Sequence, residues 1–174
     1  PHPPIWIGAN ADPAIQRAAK YGDCWYINPH NRIDTIERQT EVYRRALDEL
    51  KKPFPDEFPM RREVFVAETR EEAIRICGPY LKDRYEVYQG WGQQKAMPKG
   101  DDNLSMTYDQ LAGDRFIVGS PDDVTEQIVN LNKRVGTNHL IMSIQWADMP
   151  QSQVKETMHL LTERVFHQVE QALD

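Results

Sequence analysis

Short apolar runs alternate with longer amphipathic segments along the chain. Strands that alternate with helices form parallel sheets built of βα units. The pattern leaves open a small doubly wound sheet or half of an eight-stranded barrel, and the absence of a GxGxxG motif disfavours a dinucleotide-binding fold. Four runs have the continuous apolar character of buried strands, at Pro4–Gly8, Cys24–Ile27, Arg62–Ala67 and His139–Ile144.

Each apolar run leads into a segment whose spacing predicts a helix. Thr69 with Glu72 three residues later predicts a capping box, and Ser120 before Pro121 predicts a second helix start. Pro79 is expected to kink or interrupt its helix, and Gly136 to end the next one. Five helices are predicted. Two of them begin near Thr69 and Ser120, and the other three span Asp12–Tyr21, Arg32–Leu50 and Pro150 to about Gln171.

The periodicity is lost between residues 88 and 114. This stretch contains Trp91, Met97, Met106 and Tyr108 among glycines. A segment of this length without periodicity predicts an irregular insertion. It suits a lid over an apolar substrate, and it equally suits a plain insertion with packed aromatic residues. The whole of 1–174 is otherwise expected to form a single α/β region.

Composition narrows the function classes. A chain of 174 residues with 40% hydrophobic and 28% charged residues is typical of one globular domain. The net charge of -6 argues against nucleic-acid binding, and no apolar run approaches the roughly 20 residues of a membrane span. Cys24 and Cys77 form no CxxC motif, so we expect free thiols in a reducing compartment such as the cytoplasm. No metal-ligand spacing is found, and no metal site is expected.

The segment Gly8–Ala11 joins the first strand to the N-terminus of the first helix. Unpaired N–H groups and the positive end of the helix dipole make such a position an anion site. A tight turn capped by Asp12, with Pro13 at the first helical position, is the alternative, and there the carboxylate competes with a phosphate for the same donors.

Four segments of the chain carry a family resemblance. They are "PPIWIGANADPAIQRAAKYGDCWYI", "REVFVAETREEA", "VGSPDDVTEQI" and "HLIMSIQWADMPQSQVKETMHLLTERV". They resemble, in the same order, segments of the luciferase-like flavin-dependent monooxygenases, which include bacterial luciferase and deazaflavin-dependent oxidoreductases. The family has a TIM-barrel fold, so the resemblance implies that the four strands are the fifth to eighth of a (β/α)8 barrel and that the chain is its C-terminal half.

The resemblance implies an oxidoreductase or monooxygenase that uses FMN or a deazaflavin coenzyme and acts on a small organic substrate. It also implies that Gly8, Ala9, Asn10 and Ala11 help to hold the cofactor phosphate. The sequence departs from the family pattern at three positions, where Ala9, Ala11 and Cys24 replace glycine, serine and glycine. A methyl group at position 9 is expected to crowd a phosphate, and Ala11 lacks a hydroxyl donor.

Active sites of barrels lie at the C-terminal ends of the strands. That rule nominates Asn28 and Trp146 as substrate-pocket residues, and the aromatic residues of the 88–114 stretch add Trp91. No catalytic residue can be assigned from the sequence, and His30 and Glu68 are the candidates. A solvated loop histidine and a surface carboxylate are the alternatives for these two.

A half-barrel has unpaired strand edges and an open interior, so we expect it to pair with another copy or with an N-terminal half. Two further hypotheses remain open at this point. In the first, the chain is a non-catalytic half-barrel subunit or fragment. In the second, it is an unrelated phosphate-binding α/β protein.

Overall fold

Residues 2–173 are described by the computed structural model. Strands and helices alternate, as the periodicity predicts. In chain order the elements are β1 Trp6–Ala9, α1 Asp12–Tyr21, β2 Cys24–Ile27, α2 Ile33–Glu49, β3 Pro59–Val66, α3 Arg70–Gly90, a 3-10 turn Gln93–Ala96, α4 Tyr108–Ala112, β4 Phe116–Gly119, α5 Pro121–Val135, β5 His139–Ser143, α6 Gln151–Leu160, a π turn Leu161–Val165 and α7 Phe166–Leu173.

The strands form one parallel sheet, which confirms the predicted architecture. The four predicted strands are present as β1, β2, β3 and β5, whereas β4 was not predicted. Glu63 of β3 pairs with Phe116 of β4 and also with Ser143 of β5, so these two strands lie on opposite edges of β3. Strand β2 pairs with β3 only at Met60. Strand β4 therefore pairs with the rest of that same edge of β3, from Glu63 onward.

The sheet is strongly curved. The rings of Trp6 on β1 and His139 on β5 lie 5.1 Å apart, although β2 and β3 lie between these two strands in the sheet. On the other face, Trp25 packs against Tyr43 of α2 and against Phe58. The sheet thus has a concave face turned away from the helices and a convex face covered by them, as in a barrel wall.

The helix boundaries follow the sequence signals closely. The Thr69 hydroxyl accepts a hydrogen bond from the Glu72 amide, and Ser120 forms a full capping box with Asp123. Gly136 ends α5 in the left-handed conformation, with φ 79°. Pro79 lies inside α3, which continues without interruption from Arg70 to Gly90.

The 88–114 stretch contains the end of α3, the 3-10 turn and α4. Its side chains Met97, Leu104 and Leu111 are buried and pack in a cluster with Phe65 and Trp146. The stretch therefore adds a second core above the sheet. Its role as a lid stays a prediction.

None of the helices in residues 2–173 combines the length and apolarity needed to cross a membrane. Cys24 and Cys77 are buried, unbridged thiols. Burial raises the pKa of each to about 12, so both stay protonated and unreactive at neutral pH.

Candidate functional site

The β1–α1 loop, Gly8–Ala11, is held by side chains from β2, from α2 and from the segment between them. The Trp25 indole donates to the Ala9 carbonyl at 3.1 Å. The Asn10 carbonyl accepts from the Gln39 amide at 2.7 Å and from the Asn31 amide at 3.1 Å. Two carbonyl groups of the loop are therefore tied to the body of the protein, which fixes the backbone leading into α1.

The start of α1 has no side-chain cap among the residues that the structure describes. Asp12, the alternative cap, does not cap the helix, because the N-cap residue is Ala11. The Asp12 carboxylate is bound by both terminal nitrogens of Arg38, at 2.6 and 2.9 Å, and by Gln39 at 3.2 Å. The hydrogen bond from Arg38 lowers the pKa of Asp12. Arg38 thus balances the Asp12 charge. Pro13 has no N–H and the Ala14 N–H donates to the Ala11 carbonyl at 2.9 Å, so the backbone donors left for an anion are those of the loop residues Asn10 and Ala11.

The methyl group of Ala9 does not crowd the open side of the loop. Ala9 is 6% exposed and packs in the core beneath the sheet, so the expectation of crowding was wrong. The alternation of side chains along β1 places Gly8 on the opposite, exposed face. A Cβ at Gly8 would meet the Asn28 side chain at 3.5 Å, an ordinary contact. The open face at this loop is therefore bare backbone.

Asn28 lies directly beside the loop. Its amide donates to the Asn10 side-chain oxygen at 3.0 Å. Two of the residues named from the sequence thus meet at the C-terminal ends of β1 and β2, where a barrel enzyme has its active site.

A second group of polar side chains, the β3 cluster, consists of Arg61, Glu63, Ser143 and Trp146. Arg61 donates to the Ser143 hydroxyl at 2.9 Å, and the Trp146 indole donates to Glu63 at 3.1 Å. Sequence reasoning found Trp146 and missed the other three. A signal was present, because Arg61 and Glu63 are charges at positions i and i+2, on one face of a strand that is otherwise buried.

Glu63 is fully buried, and one of its carboxylate oxygens has no hydrogen-bond partner within residues 2–173. Burial raises the pKa of this carboxyl group, although Arg61 acts against the shift. The environment therefore favours the protonated, neutral acid.

His30 is buried rather than solvated. It is 6% exposed, and its ring lies edge-on to Tyr88 with centroids 4.7 Å apart. Burial, followed by the charges of four surrounding arginines, lowers the pKa of His30 to about 4. Neither ring nitrogen has a partner in the described part of the chain. The imidazole is consequently neutral at physiological pH.

Trp91 lies at the margin of this arrangement, and Glu68 lies outside it. Trp91 is 69% exposed at the end of α3 and touches the site through Tyr88, with ring centroids 6.0 Å apart. Glu68 is exposed and forms an ion pair with Arg164 of the π turn at 3.0 Å.

Comparison with known proteins gives this geometry a context. The family model "Luciferase-like monooxygenase" matches residues 1–139, most of the chain. The chain belongs to the luciferase-like monooxygenase family. A curated relative, the 3,6-diketocamphane 1,6-monooxygenase of Pseudomonas putida, is 33% identical over 113 residues, which cover 60% of this chain and 30% of the relative.

Solved structures of luciferase-like proteins share the fold. A monooxygenase from Streptomyces bottropensis aligns with TM-score 0.71 and 21% identity over 95% of this chain and 48% of its own. The FMN complex of the 3,6-diketocamphane monooxygenase oxygenating constituent from Pseudomonas putida aligns with TM-score 0.70 and 22% identity over 96% and 49%. The coenzyme F420-dependent tetrahydromethanopterin reductase of Methanopyrus kandleri aligns with TM-score 0.66 and 15% identity over 94% and 50%. The chain thus spans about half the length of these structures, and the parallel α/β sheet is consistent with half of their fold.

Proposed function

We propose that this chain is the C-terminal half of an oxidoreductase that uses FMN or a deazaflavin coenzyme and acts on a small organic substrate. The observation that carries the proposal is the β1–α1 loop, which leads into a helix start without a side-chain cap and beside which Arg38 engages the Asp12 carboxylate. Family membership supports it, as does the naming of FMN and of coenzyme F420 for two of the structural neighbours. The hypothesis of an unrelated phosphate-binding protein is removed by the family match.

The backbone of Gly8, Ala9, Asn10 and Ala11 would hold the cofactor phosphate. Its N–H groups are neutral donors fixed in place, so binding requires little reorganisation. The cofactor ring, when bound, supplies the redox chemistry. Asn28 orients the loop through Asn10.

The β3 cluster and the neighbouring aromatic residues would shape the substrate side of the site. Glu63 fixes the indole of Trp146 by a hydrogen bond, and Trp146 and Trp91 would contact the substrate. His30 is neutral and lies among aromatic rings, so it would exclude water rather than carry a proton at neutral pH. Glu68, engaged by Arg164, would remain outside the chemistry.

Cofactor fluorescence tests the proposal. FMN and the deazaflavin coenzyme are titrated separately into the chain, and saturable quenching by one of them is expected. Gly8→Asp places a carboxylate on the exposed face of the β1–α1 loop and should abolish the quenching, because it repels the phosphate. Gly8→Asn has the same shape without the charge and should retain it. Equal binding to both variants, or no binding to the chain or to a complete barrel that contains it, would refute the assignment.

The concave face suggests an assembly as well. Trp6 and Tyr26 are half-buried there, and β1 is hydrogen-bonded along one edge within the described sheet. The chain would pair with an N-terminal half-barrel or with a second copy, since an open edge and an aromatic face favour association. Sedimentation velocity tests this proposal, and a stable monomer across micromolar concentrations would contradict it. The buried free thiols would suit a reducing compartment such as the cytoplasm.

A further inference from the structure

A polar cleft of about 350 Å³ lies on the convex side of the sheet, between α2, β4 and α5. Three guanidinium groups line it, those of Arg62, Arg70 and Arg115. Asp114 contributes a carboxylate to the lining, and Asn130 an exposed amide. The lining therefore carries more positive than negative charge, although the chain as a whole is acidic.

The charges at this cleft can be matched pair by pair. The ion pairs are Arg115–Asp101 at 3.4 Å, Arg70–Asp123 at 3.2 Å and Arg32–Asp114 at 3.8 Å. After these pairs are formed, Arg62 is left without a carboxylate within 4 Å in the part of the chain that the structure describes.

Arg62 is almost completely enclosed, with 1% of its surface exposed. One terminal nitrogen donates to the carbonyls of Pro29 and Asn31 at 2.8 and 3.0 Å, and the other has no partner in residues 2–173. Burial lowers the pKa of Arg62 to about 10, which still leaves it charged at neutral pH. The hydrogen bonds of Arg62 go to neutral carbonyls, and Asp114 and Glu63 act on its charge only from beyond 4 Å. A buried cation in this position is costly, and an anion beside it offsets that cost.

We infer that this cleft binds a small oxyanion, a phosphate or carboxylate group, against Arg62 and Arg115, with Arg70 and Asn130 at its rim. Guanidinium groups suit this ligand because their planar N–H donors match the oxygens of phosphates and carboxylates. The site lies on the opposite side of the sheet from the open face of the β1–α1 loop, and it goes beyond the proposed function.

The bound anion also stabilises the proposed cofactor loop. Arg62 holds the carbonyls of Pro29 and Asn31, and Arg115 holds that of His30 at 2.8 Å. Asn31 in turn donates to the Asn10 carbonyl. An occupied cleft therefore fixes the segment after β2, which supports the β1–α1 loop from behind.

Thermal unfolding in increasing inorganic phosphate, with sodium chloride at matched ionic strength, tests the inference. Phosphate should raise the midpoint and chloride should not. The Gly8→Asp variant should respond like the natural sequence, because it blocks only the β1–α1 loop. Asn130→Asp adds a carboxylate at the rim, on an exposed position, and should weaken the apparent phosphate affinity about tenfold. The matched control Gln151→Glu makes the same change on α6, away from the cleft, and should have no effect.

Three outcomes would overturn the inference. A response that disappears in Gly8→Asp and persists in Asn130→Asp would assign phosphate to the β1–α1 loop. An equal response to chloride would reduce the effect to charge screening. A flat response at every phosphate concentration would mean that water satisfies Arg62. Since FMN binding is measured separately, failure of the cofactor proposal leaves this test intact.

Discussion

The β1–α1 loop and the β3 cluster form two sides of the candidate site and are built by opposite means. The loop is backbone held by neutral amide and indole donors, and its partners come from 16 to 29 positions away. The cluster consists of ionisable side chains, partly or fully buried, whose partners lie 82 and 83 positions away. The neutral backbone of the loop can bind an anion without any change of its own protonation, whereas the state of buried ionisable groups depends on the whole fold and on pH.

The largest effect is expected at the support of the loop. Trp25 is fully buried, packs on Tyr43 and Phe58, and holds the Ala9 carbonyl. Trp25→Ala should lower the free energy of unfolding by about 4 kcal/mol, because it removes a large core side chain and leaves a cavity. Urea denaturation measures the change. Trp25→Phe should cost clearly less, and equal costs would show that the packing carries no such weight.

The next largest effect concerns acid sensitivity near the β3 cluster. The folded state holds the pKa of His30 at about 4, below its ordinary value of 6.5. The unfolded chain therefore takes up a proton first as pH falls, and stability present above pH 6.5 is lost progressively down to pH 4. The loss should be on the order of 3 kcal/mol.

His30→Phe keeps a ring against Tyr88 and removes the titration. Urea unfolding at pH 7, 5.5 and 4 measures the free energy of unfolding of both proteins. The variant should lose less of this free energy than the natural sequence as pH falls. Parallel curves for the two proteins would assign the acid sensitivity to other groups.

A smaller effect separates charge from hydrogen bonding at Glu63. Glu63→Ala leaves the buried Trp146 indole without its acceptor and should cost about 2 kcal/mol. Glu63→Gln keeps an acceptor and should cost less than about 1 kcal/mol near pH 4.5. Burial raises the pKa of Glu63, so the stability contributed by the neutral acid falls as pH rises above 4.5. The free energy of unfolding of the Gln variant should consequently rise relative to that of the natural sequence as pH increases toward 8. A difference between the two that does not change with pH would contradict the description of Glu63 as a buried acid.

The smallest stability change is expected at the loop's exposed ion pair. Arg38→Gln should cost about 0.5 kcal/mol, as surface ion pairs do. Its effect on FMN binding should be larger, because the freed Asp12 carboxylate can turn back to the start of α1 and compete with the phosphate. The double variant Arg38→Gln with Asp12→Asn should recover the binding. Unchanged binding in the single variant would show that Arg38 does not protect the site.

The sequence predicts local features of this molecule well. The bounds of α1 and β2 agree with the structure, because Pro13 and an apolar spacing mark the helix and a continuous apolar run marks the strand. Ser120 and Gly136 mark both ends of α5 by chemistry that acts within a few residues. The β1–α1 loop could be proposed as an anion site from the sequence for the same reason, since a strand that turns into a helix is a local pattern.

The features that were missed depend on distant partners. Strand β4 pairs with the edge of β3 that β2 leaves free above Met60, and its own apolar run, Phe116–Val118, is only three residues long. Strand β3 begins at Pro59 rather than Arg62 because His139 and its neighbours on β5 pair with this segment. The burial of Arg62 and Glu63 follows from the same long-range pairing, since charges at a strand entry ordinarily face water.

The two-edged pairing of β3 has a consequence for synthesis on the ribosome. The segment that pairs with β5 waits for partners about 80 positions later in the chain. At a translation rate of roughly 5–20 residues per second, that edge stays open for about 4 to 16 seconds. During this time β3, the longest strand of the sheet, is a template for any other extended chain. The charged side chains of Arg61 and Glu63 on this strand then disfavour pairing with a wrong chain, before they take their places in the folded protein.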